Sequence, residues 1–193
     1  MGEIEFLSRP VNHQFPERLF EIMPDDHFWV RSRFNVFLQE TCKLRLNLRD
    51  RKLGLDVGCG HGAVQRQLAA YSFWSCDGCD LSIAGLTRNA AHDGRVFYYD
   101  INDRRPEFRE QYDFIVIFDV LEHIDDTRSF LNSAVFHLKP RGHPFVNVPA
   151  MQSLYSKFDM VLGHVRRYHR RLLAQHIVDA GLDILSLRYW DSR

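Results

Sequence analysis

From residue 53 onward, short apolar runs alternate with stretches of helical period. Leu53 to Cys59 reads as a buried strand, and Phe73 to Asp80, Val96 to Tyr99, Tyr112 to Val120 and Pro144 to Val148 repeat that pattern. Helical patterns over Ala63 to Ala70, Ser82 to Ala91 and Thr127 to Leu138 lie between them, and a Pro-Arg-Gly turn at 140–142 precedes the last of these strands. A further helix, Arg170 to Ala180, stops at Gly181, where a left-handed residue is favoured, and Leu182 to Trp190 reads as an extended sixth strand. This alternation predicts a doubly wound α/β domain, a mostly parallel sheet with crossover helices.

The first fifty residues differ. Pro10, Pro16 and Pro24 punctuate them, and Phe28, Trp29, Phe34, Phe37 and Leu38 give an apolar helical pattern outside the sheet. Residues 1–50 are therefore expected to form a helical cap over a domain spanning 51–193, not a second domain. A chain of 193 residues can bury one sizeable core. Lys+Arg and Asp+Glu are both 25, so capture of nucleic acid by bulk charge is not expected. The longest clean apolar run, Phe114 to Phe118, is far short of the roughly 20 residues of a membrane helix. The amino terminus lacks the apolar stretch of a secretory signal, and four cysteines are too few for a disulfide scaffold, so a reducing cytoplasm is expected.

Candidate chemistry begins at Asp56-Val57-Gly58-Cys59-Gly60-His61-Gly62, placed after a strand and before a helix. Glycines there permit positive φ and bring a ligand against bare backbone. Gly58-x-Gly60-x-x-Ala63 also satisfies the dinucleotide fingerprint, which makes a nicotinamide oxidoreductase the rival reading. Against it, Asp56 would set an anion beside a pyrophosphate. More carboxylates follow at strand ends: Asp80, 22 positions after Gly58, then Asp100, then Asp119 with Glu122 and His123.

The series LDVGCGHG, GCDLS, VFYYDIND, YDFIVIFDVLEHIDD and LKPRGHPFVNVPA resembles, in this order, the motifs of class I S-adenosylmethionine-dependent methyltransferases. It is most similar to the small-molecule branch that includes ubiquinone-biosynthesis O-methyltransferases and enzymes found with polysaccharide and lipid biosynthesis, over about residues 27 to 190. The resemblance implies S-adenosyl-L-methionine as cofactor. It implies that Asp56, Gly58, Cys59 and Gly60 line the methionine part, with Asp56 near the ammonium. Asp80 would accept the ribose hydroxyls, Leu81 would pack on adenine, and Asp100 with the backbone of Ile101 would read the adenine amino group. Phe118 and Asp119 would face the methyl donor, and Arg33, with Arg31 as alternative, would reach the cofactor carboxylate from the cap. A zwitterionic tail, a diol and a neutral base suit carboxylates and one arginine better than a phosphate cradle does.

Methyl transfer from a sulfonium needs positioning above all, and a base only for a poor nucleophile such as a hydroxyl. His123 and His164 are the catalytic candidates, with His143 also weighed. Asp119, Glu122 and His123 have the spacing to hold a divalent ion, but relatives with the same triplet need none, and no metal is expected. The basic run Gly163 to Arg171 either holds an anionic acceptor or is solvated, and Met151 to Met160 is expected to form an acceptor-facing flap. Cys76 and Cys79 stand three apart on a strand and so point to opposite faces, unlike a metal or redox pair. The family fold closes with a sixth and a seventh strand; here the chain stops after the expected sixth, so the seventh is missing, truncated away or replaced by a rearranged ending, and the open edge would suit a monomer or a homodimer. The expected function is methyl transfer to a small molecule at oxygen, with a nicotinamide oxidoreductase and a non-catalytic cofactor-binding relative as alternatives.

Overall fold

A computed structural model describes residues 3–11, 24–89 and 94–190. Its sheet holds β1 (Ile4–Phe6), β2 (Leu53–Val57), β3 (Ser75–Asp80), β4 (Val96–Tyr98), β5 (Tyr112–Phe118) and β6 (Leu138–Asn147). Their order is β1-β4-β3-β2-β5-β6, and every pairing is parallel. Among the described residues the helices are α1 (Phe28–Lys43), α2 (Ala63–Tyr71), α3 (Ile83–Arg88), α4 (Thr127–His137), α5 (Lys157–Val161) and α6 (Arg170–Asp179). The expected α/β class holds; the helix predicted to reach Ala91 is described as far as Arg88, and residues 90 and 91 of that prediction lie outside the described residues.

β5 shows why the centre of the sheet folds as it does. Ile115 and Ile117 face a core shared with Phe130, Leu131 and Ala134 of α4, whereas Phe114, Val116 and Phe118 face Phe34 and Phe37 of α1 and Leu68 of α2. Both faces are covered, so the strand is apolar throughout rather than alternating. Cys76 and Cys79 obey the same period, one in each core, and all four cysteines are free thiols. Local signals start the helices: Ser82 caps α3 through Gly85 N, Asp126 caps α4 through Ser129 N, and Ser156 with Asp159 forms a capping box on α5.

Three features depart from the sequence reading. The segment before residue 50 is not helical throughout, because Ile4–Phe6 adds a strand beside β4. The Pro-Arg-Gly turn does not precede β6 but lies inside it as an irregularity: Tyr112 pairs with Leu138 and Phe114 with His143, so the intervening residues bulge out, with Arg141 at φ 66°. Finally, Leu182 to Trp190 is not a strand of the sheet. Side-chain contacts draw it to α1 instead: Arg188 pairs with Glu40 and Gln39, and the Trp190 ring lies 4.8 Å from that of Trp29. Between this tail, α1, α6 and the outer edge of β6 is a cavity of about 910 Å³. No helix of the described residues is long and apolar enough to cross a membrane.

Candidate functional site

A second cavity, of about 200 Å³, opens where the carboxyl ends of β2 and β5 meet α1 and α5. The glycine turn forms its floor. Gly58 has φ +78°, and a Cβ there would lie 2.5 Å from Val120 Cγ2, so both conformation and space demand glycine. The Gly58 amide donates to Cys79 O at 2.8 Å, and the Gly60 amide donates to Asp80 Oδ2 at 2.8 Å. Ser82 N completes the grip on Asp80 through Oδ1 at 2.7 Å, so this carboxylate ties the turn to the end of β3. His61 and Arg66 hold Asp25, which seats the approach to α1 beside the turn.

Asp56, next to last in β2, faces this cavity at 2% exposure. Desolvation pushes its pKa up to about 7, against the opposing pull of Arg33 and with a smaller upward push from Asp80. Cys59 is buried alongside, and burial first, then the charges of Asp80 and Asp56, push its thiol well above its usual range, so it serves as wall and not nucleophile.

Arg33 projects from α1 on the inner side, while Arg31 is exposed. Its Nη1 donates to Asp119 Oδ2 at 2.6 Å, its guanidinium stacks 5.0 Å from the Phe118 ring centroid, and its buried Nε has no hydrogen-bond partner among the described residues. Asp119 sits in the left-handed region at φ 56°, just past β5. It also accepts Trp29 Nε1 at 2.9 Å and Asn147 Nδ2 at 2.6 Å, and Asn147 in turn accepts Trp190 Nε1 at 2.7 Å. One carboxylate therefore joins the cap helix, two strand ends and the tail.

Glu122 and His123, in the short turn after β5, and His164, after α5, close the far side of the cavity. Glu122 is fully buried, and among the described residues neither of its oxygens has a hydrogen-bond partner. Desolvation, then the charge of Asp119, raises its pKa well above the carboxylate range. Donor atoms of Glu122, His123 and His164 lie within 4.8 Å of one another, whereas Asp119, weighed with Glu122 and His123 for an ion, is committed to Arg33, Trp29 and Asn147.

Arg33, Asp56, Gly58, Cys59, Gly60, Phe118, Asp119, His123 and His164 are thus brought to one cavity. Asp80, Leu81, Asp100 and Ile101 are not among its walls. Asp80 touches the turn from behind, Asp100 caps the following 3-10 turn through Asn102 N, and the Ile101 side chain is a core residue at 2% exposure. His143 lies on β6 against the larger cavity. Sequence reasoning missed the roles of Trp29, Asn147 and Asp159 and the full burial of Glu122; the Ser156–Asp159 capping box alone had a readable signature.

The sequence model of a family described as methyltransferase domain matches residues 29–187, which contain every wall of this cavity. The chain belongs to this methyltransferase-domain family. Similar members include two proteins named ubiquinone biosynthesis O-methyltransferase, from Rickettsia canadensis (31% identical over 150 residues, 69% of this chain and 64% of that protein) and Rickettsia typhi (29% over 125 residues, 61% and 51%). The chain thus spans about half to two thirds of the length of these relatives. Among solved structures, phosphoethanolamine N-methyltransferase 2 of Haemonchus contortus, in complex with S-adenosyl-L-methionine, superposes with TM-score 0.61 at 17% identity, covering 86% of this chain and 44% of that one. A SAM dependent methyltransferase of Archaeoglobus fulgidus gives 0.59 at 18% identity, covering 76% and 68%. At such identity these structures establish the methyltransferase-domain fold alone.

Proposed function

We propose that the smaller cavity binds the amino acid end of S-adenosylmethionine and that the protein transfers a methyl group to an oxygen of a small-molecule acceptor. The observation that carries this reading is the charge pattern of the cavity: a buried carboxylate, Asp56, and an arginine with an unsatisfied buried Nε, Arg33, share one small space over a glycine turn. A zwitterionic amino acid supplies an ammonium for the first and a carboxylate for the second. A pyrophosphate fits poorly, because the carboxyl groups of Asp56 and Asp119 line the space it would enter. The relatives' names support methylation at oxygen.

When bound, the cofactor supplies a methyl group already activated by a sulfonium. The chain's own residues position and exclude. Phe118 walls the transfer region, Arg33 and Asp56 orient the tail, and Asp80, at the back of the turn, is the diol acceptor. His164 takes the hydroxyl proton of the acceptor, with His123 packed against it. Of the basic run, Arg166 bonds Ile124 O and Thr127 Oγ1 and Arg167 bonds Asp159, so an anionic acceptor is left with the exposed Arg170 and Arg171. The reading takes the acceptor from a reducing cytoplasm and the protein as a monomer or a homodimer.

The test is a mass-spectrometric screen of hydroxylated small molecules with the methyl donor. Products heavier by one methyl group support the reading; no product across phenolic, sugar and carboxylate acceptors contradicts it. Two results are expected on binding. Asp80→Ala weakens S-adenosylmethionine by about 1–3 kcal/mol in calorimetry, the range for losing a charge-assisted partner. Affinity also falls as pH drops below about 7, because binding an ammonium requires Asp56 ionised and so releases a proton. Asp56→Asn abolishes that slope, and a slope unchanged in the variant would remove Asp56 from the site. For stability the sign is opposite. With its folded pKa raised from 3.8 to about 7, Asp56 contributes fully below pH 3.8, and the contribution is lost as pH rises through 7.

A further inference from the structure

Asp159 is a carboxylate at 0% exposure, outside the set that resembles a cofactor site. Its Oδ2 accepts Ser156 N at 2.8 Å and Ser156 Oγ at 3.1 Å, and its Oδ1 accepts Arg167 Nε at 2.7 Å and lies 2.9 Å from His164 Nδ1. Burial raises its pKa, but these bonds, that from Arg167 first, outweigh burial and hold it well below the usual carboxylate range. An ionised carboxylate can only accept, so His164 Nδ1 must carry the proton.

The backbone fixes where the other ring nitrogen goes. His164 N donates to Asp159 O at 2.9 Å, Tyr155 Oη donates to His164 O at 2.6 Å, and Val165 N donates to Glu122 O at 2.7 Å. His164 Nε2 then lies 4.0 Å from Glu122 Oε1, beyond hydrogen-bond distance, on the wall of the smaller cavity. The charged and titratable groups around this ring are Asp159 with its partner Arg167, Glu122 and the perpendicular ring of His123 at 4.8 Å; Arg33 and Asp119 line the cavity beyond.

We propose that Asp159 is a positioning residue that locks His164 in the Nδ1–H tautomer and so presents Nε2 to the cavity as a bare proton acceptor. The inference rests on the reading of His164 as the base. The acceptor O–H proton passes to Nε2, the electron pair stays on the acceptor oxygen, and Asp159 balances the imidazolium through Nδ1–H. Arg167 keeps Asp159 ionised, so the proton remains on the ring until solvent removes it. The logic is that of a base oriented by a third group.

The test is side-chain nitrogen NMR of the intact 193-residue chain without ligand, with the His164 resonances identified by their loss in His164→Gln. At alkaline pH, wild-type His164 is expected to show a protonated Nδ1 and an unprotonated Nε2. In Asp159→Asn the preference for that tautomer is expected to fall about tenfold, since the carboxylate charge is gone while the side-chain shape remains. A wild-type Nε2–H tautomer, or an unchanged tautomer ratio in Asp159→Asn, overturns the proposal, and the wild-type tautomer decides it even if that variant fails to fold. A purely structural clamp would lower thermal stability without moving the tautomer ratio. Because no donor or acceptor is present, absence of methyl transfer would count against the proposed function and leave this result standing.

Discussion

Replacing Asp119 with alanine is expected to lower stability by about 3 kcal/mol, the scale of leaving a buried charge without its partner. The carboxylate accepts from Trp29, Arg33 and Asn147, and its loss would leave the largely buried Arg33 guanidinium unpaired. Alanine also tolerates the left-handed backbone at φ 56° less well than aspartate. Asparagine keeps an acceptor oxygen and tolerates that backbone, so Asp119→Asn should fall between the two. Urea denaturation of the three proteins gives the comparison. An alanine variant as stable as the wild type would mean that α1 and the tail are held by their apolar contacts and not by this carboxylate.

The second large effect concerns rate. With an acceptor identified by the methyl-transfer screen, His164→Gln is expected to lower kcat by about 10² to 10⁴, the usual worth of a positioned base. Affinity for the methyl donor should change far less than kcat, because the proposed role of His164 is toward the acceptor hydroxyl and not toward the cofactor's charged tail. His123→Gln should cost less: its Nδ1 meets a backbone carbonyl, Gly163 O at 3.3 Å, whereas His164 Nδ1 lies 2.9 Å from the Asp159 carboxylate. Equal losses in both variants would shift the base away from His164. Full activity in His164→Gln would show an acceptor that needs no base.

The central sheet was legible because its strands are buried on both faces and their apolar runs are bounded by glycines and helix caps. β5 is the clearest case, and the glycine turn after β2 is nearly as clear. The short strand Ile4–Phe6 has too few residues for a period, and its partner, β4, is distant in sequence. Leu182 to Trp190 carries a strand-like composition, but Arg188 and Trp190 find Glu40, Trp29 and Asn147 instead of β6, a choice made by tertiary contacts. Inside the site, the residues that anchor the cofactor reading lie in local motifs and could be read. The roles of Asn147, Trp29 and Asp159 depend on which strand ends and loops become neighbours, and that information resides in the fold. The arginine run shows the converse: local charge density suggested an anion site, while Arg166 and Arg167 are spent on carbonyls, a hydroxyl and one buried acid.

The most direct test of the central claim is isothermal titration of the wild-type protein with S-adenosylmethionine and, separately, with NAD. Saturable micromolar binding of the former and none of the latter is the expected result. Binding of NAD, with S-adenosylmethionine giving no heat, would contradict it and return the glycine turn to a phosphate.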